Sequence, residues 1–477
     1  MQRSKLTLDD AFRIGRLDAH GQAELLRSKD LEAADLIEAA ILRIDELNPA
    51  INAVSYRAFG PARERAATRN HDAGALAGVP YLIKDSLEYP GMPARAASRS
   101  KSDAPSTKAY PFISRFDREG LLPVGKSSMC EFGLLVSNEP LLYGPVVNPW
   151  AHDLSTGGSS GGAAAAVASG MVPLAHASDA AGSIRIPGSC CGLVGLKSSR
   201  GANIRARAQN LIDDLMCSDI LLSRSVRDVA WSFAVSKAEP VQPIVKAAER
   251  RLRIAVAVKD WLGREPTAEV AESIEKTAQL CARLGHQVVK SELPVDGRAL
   301  DEAFKVFWAY LGSEVVDITR ALHPSEKIED LLEPWTINVG EWGKQFDGTH
   351  LERAFARTLE AGHLMEDYFR EFDIVLSPVL AERPAKQGRL SPTQSLENLL
   401  RELTDYMPYT PLHNMLGLPA ITLPLFTTQD GIPLGSMFAA SRGKDESLLA
   451  LSLELEAAQP WADRWPRNDS AKRQRPF

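Results

Sequence analysis

Two runs of glycine, serine and other small residues constrain this 477-residue chain more than any other feature. The first covers residues 157–162 and the second residues 179–185, so that Ser159 and Ser183 each lie in a loop that we expect to be flexible. Residues 163–168, between them, are almost all alanine, which predicts a helix that packs tightly against a sheet.

Lys84, upstream of both loops, adds a chemical partner for the two serines. A serine hydroxyl is a poor nucleophile until a base removes its proton. A lysine can act as that base when burial favours its neutral form, and Lys84 follows the apolar residues 81–83. A second hydroxyl can relay the proton, and glycine-rich backbone can direct N–H groups toward an oxyanion. These residues indicate nucleophilic catalysis without histidine.

Composition and charge limit the ligands and the cellular compartment that we expect for this protein. A net charge of −6 argues against nucleic acid as the main ligand, because phosphate binding requires a basic surface. The first residues have no apolar signal-peptide core, and the longest weakly apolar stretch, 163–175, is too short to span a membrane. The five cysteines form no C-x-x-C pair. We therefore expect a cytoplasmic protein with reduced thiols and no contact with a membrane or nucleic acid.

Short apolar runs, typical of strands, alternate with segments whose apolar residues recur at helical spacing. This alternation predicts an α/β fold with a sheet covered by helices on both faces. We expect the first long helix to end at Pro49 and residues 381–398 to be loop. The predicted helices cover residues 31–44, 61–69, 163–168, 266–284, 447–457 and most of 300–370. The predicted strands cover residues 80–83, 122–124, 172–175, 253–258, 287–289, 373–378, 420–424 and 434–438.

The ordered motifs resemble those of the amidase signature family. The resemblance extends from about residue 31 to residue 466 and depends on many matches in the same order, since no single match is specific. The matching segments are Gly78-Val79-Pro80-x-x-x-Lys84-Asp85, Gly125-Lys126-Ser127-x-x-x-Glu131-Phe132, Asn148-Pro149-Trp150, residues 157–162, 179–187 and 192–197, Asn414-x-x-Gly417-Leu418-Pro419-Ala420 and Asp430-Gly431-x-Pro433-x-Gly435.

The resemblance implies a Ser-Ser-Lys mechanism for hydrolysing a linear or cyclic carboxylic amide. Ser183 matches the nucleophile, Ser159 the bridging serine that follows a cis peptide bond, and Lys84 the general base. The backbone N–H groups of Ala180, Ala181, Gly182 and Ser183 match the oxyanion hole. No substrate-binding residue is assigned.

The same resemblance implies an α/β/α sandwich with a large mixed sheet and helices on both faces. It implies no metal and no cofactor, a small-molecule amide as substrate, and oligomers that are often homodimers. We expect an N-terminal helical segment at residues 1–70 and an amidase signature core at 71–235. A variable, substrate-shaping region follows at 236–400, and the C-terminal part of the core at 401–477.

Three positions depart from the family pattern. Ala181 stands where glycine is usual, which is harmless if its φ angle is negative. Ser178 replaces the usual threonine, and Ser198 replaces a common proline. Other details resemble the 6-aminohexanoate cyclic-dimer hydrolases and related bacterial amidases; they lie in residues 139–140, 148–150, 175–183, 199–201 and 460–461.

Two other motifs offer competing interpretations. Residues 120–127 match the P-loop pattern, but residues 112–119 look helical and residues 121–124 read as a strand inside the loop. Gly157-x-Ser159-x-Gly161 matches the nucleophile elbow of α/β-hydrolases, which needs a downstream histidine. The late histidine, His413, has no catalytic signature and is expected to be structural.

Two other functions remain open at this point. An amidotransferase-type subunit acting in a complex on glutamine or a related amide shares the three catalytic residues, and a non-catalytic scaffold could retain the fold.

For other polar residues the structural interpretation is favoured: Asp179 and Arg185 as a pair that braces the Ser183 loop, and His176 as a core residue. Cys190 and Cys191 are expected to be buried, and the aromatic residues of 304–342 to be mostly core, with one or two of them shaping an amide-binding cleft.

Overall fold

A computed structural model describes residues 6–68, 74–206, 210–247 and 249–466 of the chain. Within these residues, strands are interspersed with helices along the whole chain. The strands are β1 (Val54–Arg57), β2 (Pro80–Lys84), β3 (Leu122–Ser127), β4 (Leu174–Asp179), β5 (Gly195–Lys197), β6 (Ser218–Leu222), β7 (Arg253–Val256), β8 (Gln287–Lys290), β9 (Ile374–Pro378), β10 (Ala420–Thr427) and β11 (Pro433–Ala440).

The strands form two mixed sheets, where we expected one large sheet. The first has the order β1-β3-β2-β4-β6 and the second the order β5-β10-β11-β9-β7-β8. An isolated antiparallel bridge between Val194 and Ser223 connects them, beside β5 and β6. In the first sheet β2 runs parallel to both β3 and β4, so the carboxyl ends of these three strands lie at one edge.

Helices cover the sheets, as the expected α/β/α arrangement requires. The helices are α1 (Leu8–Gly15), α2 (Ala19–Arg27), α3 (Ala33–Ile51), α4 (Phe59–Thr68), α5 (Pro111–Arg118), α6 (Gly161–Ala168), α7 (Arg185–Cys191), α8 (Leu211–Met216), α9 (Val226–Ser236), α10 (Ala268–Arg283), α11 (Gly297–Leu322), α12 (Ile328–Leu331), α13 (Pro334–Gly343), α14 (Gly348–Glu371), α15 (Leu396–Tyr406), α16 (Pro411–Leu416) and α17 (Asp445–Ala458).

The central strand β2 shows that the first sheet is buried on both faces. Leu82 belongs to one hydrophobic core, whereas its neighbours Tyr81 and Ile83 belong to another. Successive side chains of a strand point to opposite faces, so a strand buried on both faces reads as a continuous apolar run. The apolar run at residues 80–83 is confirmed as such a strand.

The structure corrects some predicted element boundaries. The first long helix continues past Pro49 to Ile51, because a proline in the last turn removes only one backbone donor, and Asn52 ends the helix in the left-handed region (φ 60°). Helix α15 already begins at Leu396, inside the segment expected to be loop. The helix predicted for residues 61–69 is α4, and Arg69 lies outside the described residues. None of the helices in the described ranges is both long enough and apolar enough to cross a membrane.

Helices α11 and α13 approach each other through glycines. A Cβ atom added to Gly340 would lie 2.4 Å from Val316 Cγ2, and one added to Gly312 would lie 2.4 Å from Val339 Cγ1. These distances are shorter than any normal contact, so the crossing depends on residues without side chains.

We expect Gly340→Ala to lower the free energy of unfolding by about 1–3 kcal/mol, because the new methyl group overpacks the α11–α13 contact. The matched control is Gly362→Ala in α14, where an added Cβ meets no atom within 4 Å. This control should gain about 0.5–1 kcal/mol from helix propensity. Urea unfolding measures both; equal stability of the two variants would contradict the proposed packing.

Candidate active site

Lys84 lies at the edge where the parallel strands end, and it is only 1% exposed. Its Nζ is 2.8 Å from Ser159 Oγ, 2.8 Å from Ser160 Oγ and 3.0 Å from Ser178 Oγ. Lys84 is the last residue of β2, and Ser178 is the penultimate residue of the adjacent strand β4. The sheet therefore places Lys84 beside Ser178, and the segment that precedes α6 adds the hydroxyls of Ser159 and Ser160.

The glycine-rich run before α6 is buried and closely packed, where we expected a flexible loop. A Cβ atom on Gly158 would lie 2.3 Å from the Ser137 carbonyl oxygen, and one on Gly162 would lie 2.4 Å from the Ser128 carbonyl oxygen. The Gly158–Ser159 peptide bond is cis, as the family resemblance implies. The glycines here permit close backbone approach, which places Ser159 against Lys84.

Ser183 lies in the loop between β4 and α7 and is 3% exposed. The carboxylate of Asp179 shapes this loop: Oδ1 accepts a hydrogen bond from the Gly182 N–H at 2.6 Å, and Oδ2 accepts one from the Ile184 N–H at 3.2 Å. The Thr410 hydroxyl donates to the Ala181 carbonyl at 2.6 Å. The loop that carries Ser183 is thus held from both sides.

Asp179 and Arg185 form a fully buried ion pair, as expected from the sequence. Arg185 Nε lies 2.9 Å from Asp179 Oδ2, and Arg185 Nη2 lies 3.0 Å from Oδ1. Asn414 donates to Asp179 Oδ1 at 2.8 Å. Burial by itself raises the pKa of the Asp179 carboxyl, but the Arg185 guanidinium and these hydrogen bonds hold the pKa well below its usual range. Asp179 is therefore a carboxylate.

One of the four N–H groups predicted to form the oxyanion hole already donates a hydrogen bond within the protein. The Gly182 N–H already donates to Asp179, so it is directed into the loop. Among the described residues, no protein acceptor contacts the N–H groups of Ala180, Ala181 or Ser183. Ala181 is not among the residues with positive φ, which is the condition under which its methyl group is tolerated.

Lys126, the lysine of the P-loop-like segment, lies inside strand β3 and is fully buried, with its ammonium donating to the Leu87 carbonyl. Helix α5 ends before the segment and the strand occupies its apolar residues, as the sequence indicated. A phosphate-binding loop needs the strand before the first glycine. The nucleotide-binding alternative is therefore wrong.

His413 is buried beside the ion pair rather than beside a serine. Its Nδ1 accepts from Arg185 Nη1 at 3.3 Å, and burial together with the Arg185 charge lowers its pKa to about 3. His413 is structural, as expected. It therefore does not supply the catalytic base that the α/β-hydrolase alternative requires. His176 is also a buried core residue, with Nε2 3.1 Å from Asp219 Oδ1.

Sequence reasoning missed several partners of the predicted residues. Ser160 and Ser178 contact Lys84, and their only signal was adjacency to Ser159 and Asp179. Glu131 is buried and accepts from the Glu333 N–H at 2.8 Å, which connects the turn at residues 131–133 to α13. Thr410 gave no signal, because its role depends on a contact with a loop more than two hundred residues away.

With the fold and the geometry of these residues described, comparison with known proteins identifies the family. A sequence model described as Amidase matches residues 35–449. The chain belongs to the Amidase family and is a hydrolase that acts on amides.

The similarity to relatives and to solved structures extends over nearly the whole chain. The Mycobacterium leprae protein named "Putative amidase AmiC" is 36% identical over 471 residues, covering 97% of this chain and 99% of the relative. The 6-aminohexanoate-cyclic-dimer hydrolase of Paenarthrobacter ureafaciens is 31% identical, covering 94% and 96%. A solved structure of 6-aminohexanoate cyclic dimer hydrolase with substrate has a TM-score of 0.86 at 28% identity, covering 95% of this chain and 99% of that one.

We expect Arg185→Ala to lower the free energy of unfolding by about 3–5 kcal/mol, because it leaves the buried Asp179 carboxylate without its cationic partner. The matched control is Arg357→Ala, which removes an exposed ion pair to Glu360. Its cost should stay below about 1 kcal/mol. Urea unfolding of both variants is the measurement, and similar losses would show that the Asp179 pair does not support the loop.

Proposed function

We propose that this protein hydrolyses non-peptide carboxylic amides through an acyl-enzyme on Ser183, with Ser159 as proton relay and Lys84 as general base. The observation that carries the proposal is the 2.8 Å contact between Lys84 Nζ and Ser159 Oγ in a buried site. Water is excluded there, so the amine and hydroxyl interact with each other rather than with solvent.

The proposed reaction has an acylation stage and a deacylation stage. Ser183 Oγ attacks the amide carbon as its proton passes to Ser159, whose own proton passes to Lys84. The negative charge on the carbonyl oxygen is stabilised by the N–H groups of Ala180, Ala181 and Ser183. The proton returns through Ser159 to the leaving amine as the carbon–nitrogen bond breaks, and water then hydrolyses the ester to release the acid and free Ser183.

The hydrogen bonds of Ser160 favour Ser159 as the relay. Both hydroxyls lie 2.8 Å from Lys84 Nζ. The Ser160 hydroxyl donates to the Ser178 carbonyl and accepts from the Ser178 N–H, both at 3.3 Å, so its proton is directed away from the lysine. Ser160 and Ser178 then serve as acceptors for lysine N–H groups, and we assign the proton that Lys84 exchanges to Ser159.

The amidotransferase-subunit alternative is not favoured. The relatives described above with more than 30% identity carry the names of an amidase and a cyclic-dimer hydrolase. The names of these relatives favour small amides, linear or cyclic, as substrates for the isolated chain.

We expect intact-mass analysis after treatment with a fluorophosphonate to show one adduct on the native chain and none on Ser183→Ala. The reason is that only an activated serine hydroxyl displaces fluoride at an appreciable rate. The Ser183→Ala variant should lose amide hydrolysis by on the order of 10³-fold or more. Denatured wild-type protein is the control for nonspecific labelling. An equal adduct on the folded Ser183→Ala variant would overturn the assignment of the nucleophile.

We expect Ser159→Ala to lower kcat by on the order of 10²–10⁴-fold, the usual contribution of a positioned proton donor and acceptor. Ser160→Ala is the matched variant, since it removes a hydroxyl at the same distance from Lys84. Its loss should be at least tenfold smaller, because Ser160 orients the lysine but carries no transferred proton. Steady-state kinetics on a simple anilide compares them, and a larger loss in Ser160→Ala would identify Ser160 as the relay.

A further inference from the structure

An apolar cleft adjoins the candidate active site and is lined by parts of the chain that hold none of the proposed catalytic residues. It lies between α11, α13 and α15 and encloses a cavity of about 40 Å³. A water molecule needs on the order of 10–15 Å³ by this measure, so the cleft has room for roughly three water-sized groups. Side chains on its wall include Phe304, Trp308 and Trp342.

Two residues on the wall of the cleft are sequence neighbours of residues that lie against the two serine loops. Leu134, on its wall, follows Gly133, where an added Cβ atom would lie 3.3 Å from Ser159 Oγ. Pro411, on the other side, follows Thr410, whose hydroxyl holds the Ala181 carbonyl at 2.6 Å. The wall of the cleft is thus continuous along the chain with residues that contact the Ser159 and Ser183 loops.

The wall next to Ser159 is held in a fixed position. The Leu134 carbonyl accepts from Trp308 Nε1 at 3.3 Å and from Trp335 Nε1 at 2.7 Å. The Phe304 and Trp308 rings pack at a centroid distance of 5.5 Å. Phe304 is partly buried and packs at the edge of the hydrophobic core, so its side chain forms a side of the cleft that a substitution can change.

The charges on the wall neutralise each other. Asp301 and Lys305 lie one turn apart on α11 and form an ion pair at 2.6 Å, with side chains 15% and 32% exposed. Trp261, also on the wall, is 8% exposed, and within the described residues its Nε1 has no hydrogen-bond partner. The cleft thus offers aromatic and aliphatic surface, one unpaired donor and no net charge, which suits a short uncharged group.

We propose that this cleft is the specificity subsite, which binds a short, uncharged apolar substituent of the amide. The inference deepens the proposed function and rests on it, since it places the substituent relative to Ser183. The substituent can belong to the acyl group or to the amine, and both present the same chemistry to Phe304 and Trp342. Each methylene that enters the cleft is expected to raise kcat/KM by about fourfold until the space is filled.

Two substrate series distinguish the acyl from the amine source. One is a set of 4-nitroanilides with acyl chains from acetyl to octanoyl, and the other is a set of acetamides with N-alkyl chains from methyl to octyl. We expect an optimum at a short chain length in one series, and Phe304→Ala should move that optimum to longer chains. The control is Leu359→Ala, on α14 and 63% exposed, which should leave the profile unchanged.

The result that would overturn the subsite is a pair of profiles without an optimum, or an optimum that Phe304→Ala and Leu359→Ala leave in the same place. Binding provides a readout that does not need turnover. Because the cleft contains tryptophans, titration of the Ser183→Ala variant with primary amides of increasing acyl length, and with acetamides of increasing N-alkyl length, should change its fluorescence, with the affinity rising with length in one of the two series. Chain-length-dependent binding without hydrolysis by the wild type would support the subsite and refute the proposed function, whereas equal affinity for all lengths in both series would refute the subsite.

Discussion

The buried carboxylate of Asp179 is the interaction on which the rest of the site depends. A charge removed from water is costly unless every lone pair is satisfied, and this one accepts from the loop backbone, from Arg185 and from Asn414. The hydrogen bonds fix the loop that carries Ser183 in one shape. They also connect the end of β4 to α16, so the shape of the loop depends on residues more than two hundred positions apart in the chain.

The lysine and the relay serine are positioned by a different constraint, the close approach of backbone segments. Lys84 is brought to the sheet edge by parallel pairing of β2, and Ser159 reaches it because Gly158 and Gly162 allow contacts that a Cβ atom would prevent. Packing density, rather than flexibility, explains why this run contains glycine. The distances between Lys84 and the neighbouring hydroxyls therefore depend on closely packed backbone, which suits the proposed transfer of protons over short hydrogen bonds.

The sequence predicted the parts of this structure that are governed by local pattern. Apolar runs identified β2 and β9, and motif order indicated Lys84, Ser159 and Ser183, whose roles remain predictions. Short elements such as β5 and α8 have too few residues to show a period. The contacts that complete the site were not predictable, since they join positions far apart in the chain and leave no local periodicity.

The proposed reacting groups and the proposed substrate cleft are built from different parts of the fold, so the same reaction can serve different amides. The proposed reacting groups lie on β2, before α6 and after β4, and are held by Asp179 and Thr410. The cleft is lined by α11, α13 and α15 together with residues 134–136, and the Trp308 and Trp335 side chains donate to the Leu134 carbonyl. A substitution such as one at Phe304 can thus change the space for substrate without touching a proposed proton-transfer group, and selectivity can vary while the hydrogen bonds at Lys84 stay the same.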